Sequence, residues 1–364
     1  MEPLYSKRMR GFRAEMARRQ RSAFLVSQQQ NLRYLSGFSG DSSWLVVTQG
    51  EQILFTDSRY TQQAMEECAG WRIVTTQSGL IHALKEYCAQ AGIRDLGFDY
   101  KQVSVEIHTR LSLSLSPGVS LHGEEDPAYV LRQIKDEWEL AQMEKAASIA
   151  EEALMLVKAK MKAGMTEREI SWTLNDQMCR NGSDGTAFQT IVAAGQRGAL
   201  PHAQPTDYQL NRGDFITIDF GAVVNGYCSD MTRTFILGDP DALQIERYNT
   251  VLEAQKIALA GIRPGVSVRA IDRIAREHLE QAGYGDYFGH GLGHSLGLEI
   301  HEEPRFSPLA EELLLAPGMV MTVEPGIYIP GWGGLRIEDF VTVTDASMNN
   351  LTWFPKTLDE MILF

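Results

Sequence analysis

Apolar and polar positions alternate differently in the two parts of the chain. In the first third, short β-rich runs at Ala23 to Ser27, Ser43 to Thr48, Gln52 to Thr56 and Trp71 to Thr75 are interleaved with helix-period stretches such as Thr61 to Ala69 and Leu80 to Ala91. That order predicts an α/β unit. A segment rich in Ser, Gly, Pro and acid, from Ser114 to Pro127, interrupts the periodicity before a long helical pattern opens near Asp136. A domain boundary is expected there, between residues 1–127 and 128–364.

Beyond the boundary, long helices come before strands, and then the same order recurs. Gly164-Met-Thr-Glu-Arg-Glu-Ile170 resembles Gly265-Val-Ser-Val-Arg-Ala-Ile271, with Thr or Ser at the expected N-cap of the following helix. In the first copy Glu169 completes a capping box with Thr166. Further on, Gly213-Asp-Phe-Ile-Thr217-Ile-Asp219-Phe-Gly221 matches Gly318-Met-Val-Met-Thr322-Val-Glu324-Pro-Gly326. The second part is therefore expected to be an α+β domain of duplicated halves about a pseudo-twofold axis, its acidic strands meeting in the middle.

The acidic strands carry the candidate chemistry. Asn225-Gly226 is a strong two-residue hairpin turn, which sets Val224 opposite Tyr227 and Gly221 opposite Asp230. Asp219 and Asp230 then project from one face as diagonal neighbours, about 7–8 Å apart at the backbone. In the second half, Glu324 and Glu338 flank the loop Pro330-Gly-Trp-Gly-Gly334. If Ile329 faces Leu335, Glu338 lies opposite Gly326, again diagonal to its partner acid. Apolar neighbours such as Ile216, Ile218, Phe220, Val320 and Val323 predict burial, where four unpaired carboxylates are prohibitively costly. Two divalent cations balance them, whereas Arg233 and Arg336 can neutralise only two.

Four of the eight histidines fall in Gly- or Pro-marked segments of the C-terminal half, at His202, His290, His294 and His301. Beside the acidic hairpins they read as one metal ligand and several proton-handling groups. A carboxylate-rich set with one imidazole is hard in character and suits Mn, Co or Zn. Two such ions roughly 3.5–4 Å apart can hold a bridging hydroxide and polarise a carbonyl, which is amide-hydrolysis chemistry.

Composition narrows the partners. The formal charge of −13 over 364 residues argues against a phosphate-binding surface and hence against nucleic acid. Basic residues near the N-terminus (Lys7, Arg8, Arg10, Arg13, Arg18, Arg19, Arg21), spaced with Met9, Phe12 and Met16, read as a solvated helix face rather than a binding arm. No apolar run approaches the roughly 20 residues that cross a bilayer, so no membrane partner and a cytoplasmic location are expected. The four scattered cysteines have no CxxC pair, and buried reduced thiols are expected.

At Ile-Asp219-Phe-Gly, Ser-Asp230-Met-Thr-Arg-Thr, His294, Val-Glu324-Pro-Gly and Arg-Ile-Glu338-Asp the sequence resembles the pita-bread metallopeptidases, the family of methionine aminopeptidase, prolidase and aminopeptidase P. The N-terminal third is similar to the creatinase/prolidase N-terminal domain, notably in Asn31-Leu-Arg-Tyr-Leu-Ser-Gly-Phe38 and Phe55-Thr-Asp-Ser-Arg-Tyr60. The resemblance implies that Asp219 binds one metal, that His294 and Glu324 bind the other, and that Asp230 and Glu338 bridge them. It implies that Glu324 also shuttles a proton and that His202 and His301 act on the substrate carbonyl and in proton transfer. His290 would line the pocket after the scissile bond, and Arg336 would orient ligands or substrate. The implied enzyme is a homodimeric Xaa-Pro aminopeptidase acting on short peptides, with an Xaa-Pro dipeptidase (prolidase) as the alternative. Metal-free creatinase-like or non-catalytic relatives are more distant alternatives. Arg305 resembles the arginine that prolidases set against a dipeptide's terminal carboxylate; otherwise it is a surface arginine after a turn.

Overall fold

In the computed structural model, which describes residues 4–364, the first third forms a six-stranded sheet. Its strands are β1 (Ala23–Val26), β2 (Trp44–Thr48), β3 (Gln52–Thr56), β4 (Arg72–Thr75), β5 (Asp95–Asp99) and β6 (Ser120–Glu124), in the order β4-β3-β2-β1-β5-β6. Between and around them run α1 (Leu4–Arg18), α2 (Gln29–Ser36), α3 (Thr61–Glu67), α4 (Leu80–Ala91), α5 (Val105–Leu115) and α6 (Pro127–Arg132). Every residue of β1 is buried, because helices cover both faces of the sheet. Leu25, Val46, Phe55 and Phe98 pack with Leu84 and Leu111 in one cluster, and Phe24 meets Phe12 of α1 edge-on at 5.9 Å.

The basic N-terminal helix is more than a solvated face. Met9, Phe12 and Met16 are buried as their spacing predicts, but Arg8 is buried with them. Its guanidinium lies 4.2 Å from the centre of the Tyr34 ring and donates to the Tyr34 carbonyl at 3.0 Å, so stacking and a hydrogen bond offset the loss of hydration. The Ser114 to Pro127 segment also contains a strand, β6, which pairs in parallel with β5. Of the cysteines, Cys68, Cys88 and Cys228 are buried reduced thiols, whereas Cys179 is exposed.

The chain divides into two compact units, the first ending at Arg132 and the second running over Gln133–Phe364. The second unit begins with α7 (Glu137–Lys158) and α8 (Glu167–Arg180), followed by β7 (Gly185–Thr186), β8 (Ile191–Ala194), β9 (Phe215–Phe220), β10 (Ala222–Val224), β11 (Tyr227–Cys228) and β12 (Met231–Leu237). Its second half repeats the order with α9 (Ala242–Gly261), α10 (Val268–Gln281), β13 (Gly293–Ser295), β14 (Glu302–Phe306), β15 (Val320–Val323), β16 (Gly326–Ile329), β17 (Gly333–Arg336) and β18 (Asp339–Val343). Ala146, Leu154 and Leu174 of the first helix pair and Val251, Ala258 and Ile271 of the second share one core with Ile216, Ile218, Met321 and Val323 of the strands.

The duplication extends to individual hydrogen bonds. Thr166 caps α8 with the expected capping box and Ser267 caps α10. The Gly164 N–H donates to the Leu210 carbonyl at 2.9 Å and the Gly265 N–H to Leu315 at 2.8 Å, while Leu210 and Leu315 donate back to Met165 and Val266 at 2.8 Å each. The order β12-β9-β8 in one sheet matches β18-β15-β13 in the other. The halves join where the Glu338 N–H reaches the Thr232 carbonyl at 3.1 Å. An α/β first domain and a pita-bread second domain with internal pseudo-twofold symmetry are the observed fold.

Candidate metal centre and substrate cavity

Asn225 and Gly226 both take positive φ, 49° and 79°, as the hairpin turn requires. Val224 pairs with Tyr227, and the same register continues to Phe220 with Met231 and Asp219 with Thr232. Gly221 therefore faces Asp230 as the sequence predicts, although the ladder passes from one sheet into another at that point. The second hairpin differs. Ile329 pairs with Gly333 rather than with Leu335, and Gly326 with Arg336 rather than with Glu338. Only residues 330–332 form the turn, with the Trp332 N–H bonded back to the Ile329 carbonyl at 3.1 Å. Since Val323 pairs with Asp339 in the same register, Glu338 stands directly opposite Glu324 instead of diagonal to it. The shift is two residues, which preserves the face, so both acids still point inward.

Asp230, His294 and Glu338 bring ligand atoms within 4.8 Å of one another. His294 Nε2 lies 3.4 Å from Glu324 Oε1 and 3.6 Å from Asp230 Oδ2. Its Nδ1 is 3.1 Å from the Ser295 carbonyl. A proton on Nδ1 satisfies that carbonyl and leaves the Nε2 lone pair facing the carboxylates, as a metal-ligating imidazole needs. Two threonines hold the acids. Thr232 Oγ1 donates to Glu338 Oε2 at 2.6 Å, and Thr322 Oγ1 donates to Glu324 Oε1 at 3.2 Å while accepting the His294 N–H at 2.9 Å.

Arginine neutralises only part of this charge. Arg336 pairs with Asp219 at 2.5 Å, but Arg233 turns away to Asp339 at 2.7 Å. Burial, then Asp219 and Glu324, push the Asp230 carboxyl well above its ordinary range, and burial followed by Asp230 and Glu324 does the same to Glu338. Burial raises Glu324 to about 8 although Arg336 pulls the other way. Burial, helped by His301, lowers His294 to about 3, so its imidazole is neutral at pH 7. Asp219 Oδ1 is buried and has no hydrogen-bond partner. A surplus of buried acid, an unpartnered carboxylate oxygen and a neutral imidazole lone pair converging on one point fit divalent cations.

The ligand-type residues floor a cavity of about 850 Å³, whose lining holds all ten residues singled out in the sequence: His202, Asp219, Asp230, His290, His294, His301, Arg305, Glu324, Arg336 and Glu338. His301 stacks edge-on against His294 at 4.5 Å between ring centres, and burial followed by Arg305 lowers its pKa. Burial lowers His290 to about 4. Arg305 is half exposed, with its Nε 3.2 Å from Glu303. Tyr328 was not singled out, yet its hydroxyl lies 3.1 Å from His290 Nε2 and accepts from Arg336 at 2.7 Å. Its place in the sequence was the signal: residues 324, 326 and 328 alternate onto one face. Thr232 gave no comparable sign, because its partner Glu338 lies on a strand distant in sequence, whereas Thr322 stands two residues before Glu324 and shares that alternation.

The model for metallopeptidase family M24 matches residues 141–345, and that for the creatinase/prolidase N-terminal domain matches residues 8–134. The chain belongs to metallopeptidase family M24. It is a metallopeptidase, and the family implies divalent metal at a site of this kind. An Xaa-Pro dipeptidase of Pyrococcus horikoshii is 37% identical over 345 residues, 93% of this chain and 94% of that protein. The solved structure of an Xaa-Pro dipeptidase from Bacillus anthracis superposes with a TM-score of 0.94 at 35% identity, covering 99% of this chain and 100% of that one. An X-Pro aminopeptidase from Thermotoga maritima superposes at 0.88 with 37% identity, covering 94% and 97%.

Proposed function

We propose that this metallopeptidase is an Xaa-Pro dipeptidase, the alternative in the sequence reading, rather than an Xaa-Pro aminopeptidase. The observation that carries the choice is Arg305, a half-exposed guanidinium on the wall of the same cavity that the acidic cluster floors. A dipeptide ends in a carboxylate one residue beyond the scissile bond, and an arginine at that wall both attracts the anion and limits substrate length. Relatives bearing the name Xaa-Pro dipeptidase over nearly the full length support the same choice.

Asp219, Asp230, His294, Glu324 and Glu338 would hold two divalent ions. When bound, the metals supply Lewis acidity that activates water and polarises the scissile carbonyl. Hard oxygen donors put manganese first, ahead of cobalt or zinc. Glu324, whose carboxyl burial raises to about 8, would take a proton from the attacking water and deliver it to the departing proline nitrogen. His202 donates to the carbonyl oxygen as charge develops there. His301 relays protons beside His294. His290, held against Tyr328, forms the wall that receives the proline ring, and Arg336 fixes Asp219 and Tyr328 in place. The enzyme is proposed to act as a cytoplasmic homodimer, which sedimentation of the metal-loaded protein tests.

The deciding experiment compares an Xaa-Pro dipeptide with an Xaa-Pro-Yaa tripeptide under manganese, cobalt and zinc. Turnover of the dipeptide alone is expected. Equal or faster release from the tripeptide would restore the aminopeptidase reading.

A further inference from the structure

The segment leaving β8 loops past His202 and returns at Thr206, and both limbs end on one buried carboxylate, Glu167, that does not line the cavity. Glu167 accepts from the Ala194 N–H at 2.8 Å on the outgoing limb, and from the Thr206 N–H at 2.9 Å and hydroxyl at 2.7 Å on the returning limb. Between them, Arg197 Nε donates to both carboxylate oxygens, at 3.1 and 3.0 Å, while its far nitrogen reaches the Gln204 carbonyl at 2.7 Å. Part of the intervening span, Pro201 to Gln204, lines the cavity. Gly198 lies so close to Gly334 that an added Cβ would sit 2.8 Å from the Gly334 nitrogen, and the Pro201 carbonyl accepts from Arg336 at 3.4 Å.

We infer that Glu167 is a positioning residue for His202: it clamps both limbs of the loop so that the imidazole is held where the substrate carbonyl will lie. The inference rests on the role given to His202 above. Charge-assisted bonds of this kind are stronger than neutral ones and fix orientation, and a displacement of about 1 Å at a catalytic group costs on the order of a hundredfold in rate.

The duplicated half separates this role from simple folding. At the position matching Glu167 stands Val268, fully buried, and its N–H reaches the Leu313 carbonyl at 3.0 Å just as the Glu167 N–H reaches Tyr208 at 3.1 Å. The junction of helix and strand therefore forms without a carboxylate. The acid is present in the half whose loop carries His202. A second clamp of the same chemistry holds the other histidine loop, where Asp272 accepts the Leu292 N–H at 3.0 Å and pairs with Arg276, which donates to the His290 carbonyl at 2.8 Å.

The test uses the metal-loaded full chain and an Xaa-Pro dipeptide. Glu167→Gln keeps the size of the side chain but turns an amide donor toward other donors. It is expected to lower kcat about ten- to hundredfold, with KM and bound metal within twofold of the parent. Combined with His202→Ala, it should cause no further loss beyond His202→Ala alone, because the clamp acts through that histidine. Arg197→Met, at a partly exposed position, should lower kcat by a smaller factor with the same lack of additivity, which keeps the test open if Glu167→Gln folds poorly. Losses that multiply with His202→Ala, or that track folded and metal-loaded protein, overturn the inference. So does parental kcat in both variants while His202→Ala is impaired. A fully active His202→Ala removes the proposed role of His202, and the inference with it.

Discussion

Removing the metals should make the second unit lose stability as the pH rises through neutrality. Glu324 has a folded-state pKa of about 8 against an ordinary 4.5, so between those values the folded chain keeps a proton that the unfolded chain has released. Folded protein binding more protons means that stability falls with rising pH. At about 1.4 kcal/mol for each tenfold change in proton affinity, the whole rise corresponds to roughly 5 kcal/mol. His294 and His290, lowered to about 3 and about 4 from 6.5, act oppositely below pH 6.5, because there the unfolded chain binds more protons. Glu324 outweighs the histidines from pH 6.5 to 8, where it accounts for about 2 kcal/mol, and the upward shifts of Asp230, Glu338 and, up to its value of about 7, Glu151 act in the same direction. For a unit of this size that is a fall of roughly 4–8 °C in Tm. Calorimetric melts of chelator-treated protein across the window should show it, and manganese should abolish or reverse it by binding the deprotonated acids. A flat or rising Tm without metal, or the same slope with metal, would refute the electrostatic account of the centre.

Four further outcomes are expected. Asp230→Ala should lose bound metal and about a thousandfold in kcat/KM, roughly 4 kcal/mol, while circular dichroism stays native, since the hairpins keep their apolar packing; full activity would count decisively against the site. His301→Ala should keep its metal, measured by elemental analysis, and lose mainly kcat; a large fall in metal would mean that it is a ligand. Arg305→Met should raise KM for an Xaa-Pro dipeptide about ten- to hundredfold, the worth of a charge-assisted bond of about 1.5–3 kcal/mol, and leave a tripeptide no worse; an equal effect on both would remove its role as length selector. Tyr328→Phe deletes the hydroxyl between His290 and Arg336 and should lower kcat/KM about tenfold, whereas unchanged kinetics would make that hydroxyl dispensable.

The sequence carried the site further than it carried the loops that hold it. Asn225-Gly226 fixed the first hairpin because a two-residue turn admits one register, and the observed pairing of Val224 with Tyr227 follows. The second hairpin was two residues out because Pro330-Gly-Trp-Gly-Gly334 can turn at more than one place, and local chemistry does not choose among them. The inward face survived the error because a two-residue shift conserves the side-chain alternation. The duplication was legible from matched glycines, threonines and acids, and it reappears in paired backbone bonds at Leu210 and Leu315. The burial of Arg8 was hidden, since its stacking partner Tyr34 lies on a different helix. Glu167 was hidden likewise: in the sequence it is an acid in a first helical turn, and only folding brings Ala194, Arg197 and Thr206 to it.

Metal stoichiometry bears most directly on the central claim. Chelated protein titrated with manganese, with bound metal counted and Xaa-Pro dipeptide cleavage followed on the same samples, should take up two ions per chain and gain activity as they bind. A chain that binds no divalent ion under any reconstitution, or that cleaves the dipeptide equally well without one, would contradict the account.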